Sequence, residues 1–94
     1  MTSKQRALLR SYGSNLDVTC QIGKGEIDES IFKDIGIQLE KRELVKIGVL
    51  RTGPEPAAAA EILAKACKAE TVAVTGRTIL LYRLSKEEKV KHLL

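Results

Sequence analysis

Apolar positions in this chain recur first at helical spacing. Leu8 and Tyr12 stand four apart with Leu9 beside them, one stripe on a helix that begins after Thr2. Thr2 and Gln5 have the spacing of a capping box, and Gly13 suits the left-handed position that closes a helix. Lys4, Arg6 and Arg10 fall clear of the stripe, which gives the helix a basic outer side. The period then changes to two. Val18, Cys20 and Ile22 alternate with Asp17, Thr19 and Gln21, the pattern of a strand with one buried face. After Gly23-Lys24-Gly25-Glu26, Asp28 is a good N-cap, with Ile27 and Phe32 placed as a hydrophobic staple. Ile31, Ile35 and Leu39 carry this second helix to about Glu40.

Leu44 to Leu50 is β-branched and nearly all apolar, as an interior strand is. Thr52-Gly53-Pro54-Glu55-Pro56 breaks it, and Pro56 fits a first helical turn, where its missing N–H does no harm. The alanine-rich run to Ala69 is a third helix, expected to bury Ala59, Ile62, Leu63 and Ala66. Thr71–Thr75 and Thr78–Arg83 flank Gly76-Arg77 closely enough to form an antiparallel hairpin. The order α-β-α-β-α-β-β implies an α/β fold, a two-layer sandwich with a mixed four-stranded sheet. Residues 1–84 are expected to form the domain. Residues 85–94 carry no capping pattern and no core stripe, and are expected to be a frayed helix or mobile tail.

Length and composition narrow the classes. At 94 residues the chain is one domain, with enough core to fold but too little for a deep cavity. No apolar run approaches the ~20 residues of a membrane helix, and the opening MTSKQRALLR turns charged at once, unlike a signal peptide. Two cysteines without metal-ligand spacing argue for a reducing, cytoplasmic setting, and both read as core fillers.

Charge is more informative than its total of +4. Lys4, Arg6, Arg10 and Lys24 against Asp17 leave residues 1–25 at +3. Arg77, Arg83, Lys86, Lys89 and Lys91 against Glu87 and Glu88 leave residues 76–94 at +3. The middle of the chain is acidic or neutral. If the ends meet, they form one basic face suited to a polyanion.

Catalytic chemistry finds no foothold. The single histidine, His92, sits near the end of the expected tail, where solvated filler is the default reading. Asp28/Glu29 and Glu87/Glu88 are adjacent in sequence, so on a helix they point apart. A Walker loop would need glycine where Val18 stands and Ser or Thr where Gly25 stands; a dinucleotide fingerprint would need glycine at Asp28. Neither motif is present, so no enzyme, cofactor or metal is expected. What remains is a strand ending in two glycines around a lysine, just before a helix start. Glycines let a phosphate approach the backbone, and free N–H groups at a helix start favour an anion. Only Tyr12, Phe32 and Tyr82 are aromatic, and the first two are assigned to the core, so a base-stacking platform is not available.

TSKQRALLR, QIGKGEI, ELVKIGVL and VTGRTILLYR together resemble the YhbY-type single-domain proteins of the CRM (chloroplast RNA splicing and ribosome maturation) family. The resemblance runs from about Thr2 to Arg83. It implies a fold like the C-terminal domain of a bacterial translation initiation factor, RNA binding, and association with precursors of the large ribosomal subunit. The family's turn after the first strand commonly reads G-x-x-G; here Glu26 replaces the final glycine. The expected RNA-binding residues are Lys4, Arg6, Arg10, Gly23, Lys24, Gly25, Arg77 and Lys86, on a monomer without a membrane partner. The alternative is an adaptor that docks a ribosomal protein or assembly GTPase.

Overall fold

The structure, a computed structural model, describes residues 1–94. Seven elements follow in order: α1 (Ser3–Gly13), β1 (Cys20–Ile22), α2 (Glu29–Arg42), β2 (Leu44–Val49), α3 (Pro56–Cys67), β3 (Glu70–Thr75) and β4 (Thr78–Tyr82). Each helix start is satisfied by the side chain that precedes it. Thr2 Oγ1 accepts from Gln5 N–H at 3.1 Å while Gln5 Oε1 accepts from Thr2 N–H at 3.0 Å, the expected capping box. Asp28 Oδ1 accepts from Ile31 N–H, and Glu55 Oε2 from Ala58 N–H one residue before Pro56 at the first position of α3.

The mixed sheet has the order β1-β2-β4-β3. β1 and β2 are parallel, and β4 lies antiparallel between β2 and β3. β1, β2 and β3 therefore all point the same way, and the turns that follow them share one end of the sheet. Alternation assigns the two faces. Ile22, Val45, Ile47, Val49, Ile79 and Leu81 join Ile35 and Leu39 of α2 and Ala59, Ala60 and Leu63 of α3 in the main core. This sheet and helix pair is the expected sandwich. On the other face Leu9 of α1 packs with Leu44, Val72 and Leu80, so α1 covers part of that side and leaves the rest open.

Several sequence expectations are corrected by this packing. Leu9 is fully buried, but Leu8 and Tyr12 are exposed, so α1 turns a different side to the sheet. Tyr12 is 40% exposed and belongs to no core. Gly13 is not a left-handed cap. It is buried against Leu80, whose Cδ2 would lie 2.5 Å from an added Cβ; glycine is there to let helix and sheet approach. In α3 the buried face is Ala59, Ala60, Leu63 and Cys67, while Ile62 is exposed and Ala66 faces solvent. Alanine on every side lets that helix sit at more than one rotation, and the larger residues do not decide it.

Residues 84–94 form neither helix nor strand, yet they are not loose. α2 ends at Glu43, whose left-handed backbone (φ 65°) turns its side chain inward until it is fully buried. Its Oε2 accepts from Ser85 N–H at 2.7 Å and faces His92 Nδ1 at 2.7 Å; its Oε1 accepts from Leu93 N–H at 2.9 Å. Ser85 Oγ donates to Glu40 O, and Leu93 packs on the second cluster. The segment is a docked strap. His92, expected to be solvated filler, is one of its anchors.

Candidate nucleic-acid interface

At the common end of β1, β2 and β3 the chain makes three turns: Gly23–Glu26, Leu50–Pro54 and Gly76-Arg77. The first two enclose a shallow groove of about 340 Å³, lined by Lys24, Gly25, Ile27, Thr52, Gly53 and Pro54. Glu26 N–H reaches Gly23 O at 3.4 Å to close the first turn, with Gly25 at φ 71°, a conformation that side chains disfavour. Open space surrounds the place where Gly25 would carry a Cβ, and Lys24 beside it is exposed. Gly23 is buried, with the Glu26 carboxylate folded back over it; an added Cβ would meet Glu26 Oε1 at 2.6 Å. The acid that replaces the family glycine therefore lies against the turn it belongs to.

The second wall is held by backbone and by one arginine. Leu50 N–H donates to Ile22 O at 2.8 Å, tying the loop to the end of β1. A Cβ on Gly53 would stand 2.8 Å from that same Ile22 oxygen, so only glycine passes there without moving backbone. Arg77 Nε donates to Val49 O at 2.8 Å, and one terminal nitrogen donates to Leu50 O at 2.7 Å and Pro54 O at 3.1 Å. Arg77 is one of the expected RNA-binding residues. Its Nε and one terminal nitrogen are held by three carbonyls, while the side chain stays exposed and its charge adds to the local field.

Other expected site residues separate into groups. Arg10 is exposed and borders the open sheet face near Thr75 and Thr78. Lys4 is exposed in the first turn of α1. Arg6, expected to stand clear of the core, donates to Thr71 O and Val72 O at 2.8 Å each and so caps carbonyls of the edge strand β3. Lys86 lies at the opposite end of the sheet, where its N–H meets Glu40 Oε2 at 3.2 Å. Lys86 is thus parted from the groove, while the segment beyond it returns to the α1 side, where Leu93 packs on the cluster of Leu9. At the starts of α2 and α3 the Asp28 and Glu55 carboxylates each accept from one N–H, which sets an acid beside the donors an anion would use. Sequence reasoning missed Thr52 in the groove, and the loop's role as its second wall.

Both cysteines are buried and carry raised thiol pKa values. Burial is the main cause for each; Asp34 and Glu26 push Cys20 further up, while Arg83 only partly offsets burial at Cys67. Neither thiol is primed as a nucleophile.

The molecule is thus a small α/β domain with a glycine-lysine turn opening on a groove beside parallel strand ends. The chain belongs to the CRS1/YhbY (CRM) domain family, which it matches over residues 1–83. It is 40% identical over 90 residues to the Bacillus subtilis protein named "Probable RNA-binding protein YqeI", covering 95% of this chain and 94% of that one. It is 36% identical over 86 residues to "Probable RNA-binding protein MJ0652" of Methanocaldococcus jannaschii, covering 88% of this chain but 63% of the longer archaeal protein. The solution structure of Staphylococcus aureus SAV1595, described as a candidate RNA-binding protein, superposes with a TM-score of 0.79 at 44% identity, covering 95% of this chain and 94% of that one. The fold expected from the element order is the fold of that neighbour.

Proposed function

We propose that this protein binds RNA without catalysing a reaction, and that the strand's phosphates enter the groove between the Gly23–Glu26 turn and the Leu50–Pro54 loop. The observation that carries this reading is the turn itself: an exposed lysine beside a glycine whose backbone is open to solvent at φ 71°. A phosphate oxygen can approach main-chain N–H groups there, while Lys24 supplies charge. The printed names of the B. subtilis and M. jannaschii relatives support RNA as the ligand class. The family resemblance extends the proposal to ribosomal RNA in precursors of the large subunit, met in the cytoplasm by a monomer.

Lys24→Glu should weaken binding to a folded ribosomal RNA fragment on the order of tenfold, because it replaces an attractive charge with a repulsive one at a phosphate. The melting temperature should hold, since Lys24 makes no hydrogen bond or ion pair. With three to four phosphates neutralised, the slope of log K against log salt should be about −2 to −3 for single strands. Unchanged affinity in the variant, or a flat salt response, would contradict the proposal.

A further inference from the structure

The part of the sheet that α1 leaves open holds a second cavity, of about 290 Å³, on the face opposite the main core. Arg10 and Lys46 stand at its sides with the hydroxyl residues Ser14, Thr75 and Thr78, and Gly13, Ala73 and Leu80 complete the lining. No carboxylate lines it. Lys46 Nζ lies 3.3 Å from Gly13 O and 3.4 Å from Leu16 O, which fixes the ammonium at the end of α1 through two long contacts. Thr75 and Thr78 face each other across the hairpin, and Thr78 pairs in turn with Gly48, which pairs with Gln21. One row of backbone therefore leads from the strand before the Lys24 turn to this cavity, two strand spacings or roughly 10 Å from β1 to β4.

We propose that this cavity is a second phosphate subsite, filled by the same RNA strand that enters the groove; it rests on the RNA-binding reading above. Two cations, three hydroxyls with Ser14 counted, and no acid form a donor set suited to a phosphodiester and poorly suited to a cation. Small residues on the floor leave room for the sugar attached to it. The strand would pass around the Gly76-Arg77 hairpin, which then separates two phosphate contacts.

Titration of the isotope-labelled full chain with a mixed-sequence single-stranded RNA 12-mer, followed by amide chemical shifts, tests this. Amides of Lys24, Gly25 and Gly53 should move, and those of Ala73, Thr75 and Thr78 should move with the same saturation midpoint. Thr75→Glu, at an exposed strand end, should weaken the 12-mer on the order of fivefold while the Lys24 and Gly25 shifts persist at saturation. Arg10→Gln, on exposed helix surface, should make the salt slope shallower by about 0.7. Shifts confined to the groove, with Thr75→Glu binding as tightly as the parent, would overturn the second subsite and leave the first reading standing. Shifts in neither region would overturn both.

Discussion

Glu43→Ala should cost about 3 kcal/mol and lower the melting temperature by roughly 12–24 °C in a domain this small. The carboxylate is fully buried, yet it answers Ser85 N–H, Leu93 N–H and His92 together. Removing it leaves two backbone donors without their acceptor, a heavier loss than deleting a surface pair. Residues 84–94 should then detach, read as fast amide exchange at Ser85 and Leu93. His92→Ala should cost only about 0.5–1 kcal/mol, because that side chain is half exposed and the two backbone bonds remain. Burial alone would raise the Glu43 pKa, but the hydrogen bonds from Ser85, His92 and Leu93 and the nearby His92 charge hold it below the ordinary value. The native state thus binds fewer protons at this site than the unfolded chain. Its stabilisation is complete above the ordinary glutamate pKa of about 4.3 and is lost as pH falls through the depressed folded value. Urea midpoints of parent and Glu43→Gln should therefore differ most near neutrality and converge in acid. A constant gap across that range would contradict the assignment.

The second large effect is expected at Arg77. Its three bonds to Val49, Leu50 and Pro54 carbonyls hold the loop that walls the groove. Arg77→Ala should lower stability by about 1.5–3 kcal/mol, less than three fully buried charged bonds because two of these are solvent-exposed. RNA affinity should also fall, as Thr52 and Gly53 lose their fixed position. Arg77→Lys should rescue little, since an ammonium lacks the planar fork that reaches carbonyls on both sides of the turn. The result separates positioning from contact. A positioning residue leaves the salt slope nearly unchanged while Gly53 exchange quickens; a phosphate contact removes about 0.7 from the slope and leaves Gly53 protected.

Element order and the hairpin were legible because period, glycine and proline punctuate this chain clearly. Asp28, Pro56 and Thr2-x-x-Gln5 mark helix starts, and each acts locally, within four residues. Helix rotation was less legible. Leu8, Leu9 and Tyr12 fit helical spacing on either side, and what decides between them is the close approach of Gly13 to Leu80, a contact between residues far apart in sequence. In α3 the alanines carry almost no rotational information. The structural bonds of the cations were hidden for a related reason. Arg6, Arg77 and Arg83 all bind backbone carbonyls of distant segments, which no charge count reveals.

The candidate site shows the same division. Gly23, Lys24 and Gly25 stood out because glycines flanking a lysine after a strand have a local meaning. The opposing loop did not, because its role depends on β1 and β2 being parallel neighbours with ends at one level. The strap was invisible for a physical reason: its main anchors are backbone N–H groups, which every residue but proline supplies, and its acceptors are Glu40 and Glu43, the latter 42 positions away from Ser85. Only a buried acid at a left-handed helix end reveals it.

Photocrosslinking of thiouridine-substituted ribosomal RNA to the full chain, with the joined peptides identified by mass spectrometry, tests the central claim most directly. Attachment within residues 23–27 and 51–54 is the predicted result, reduced by Lys24→Glu. Attachment concentrated on the outer surfaces of α2 and α3, with those turns untouched and the variant crosslinking as well as the parent, would contradict it.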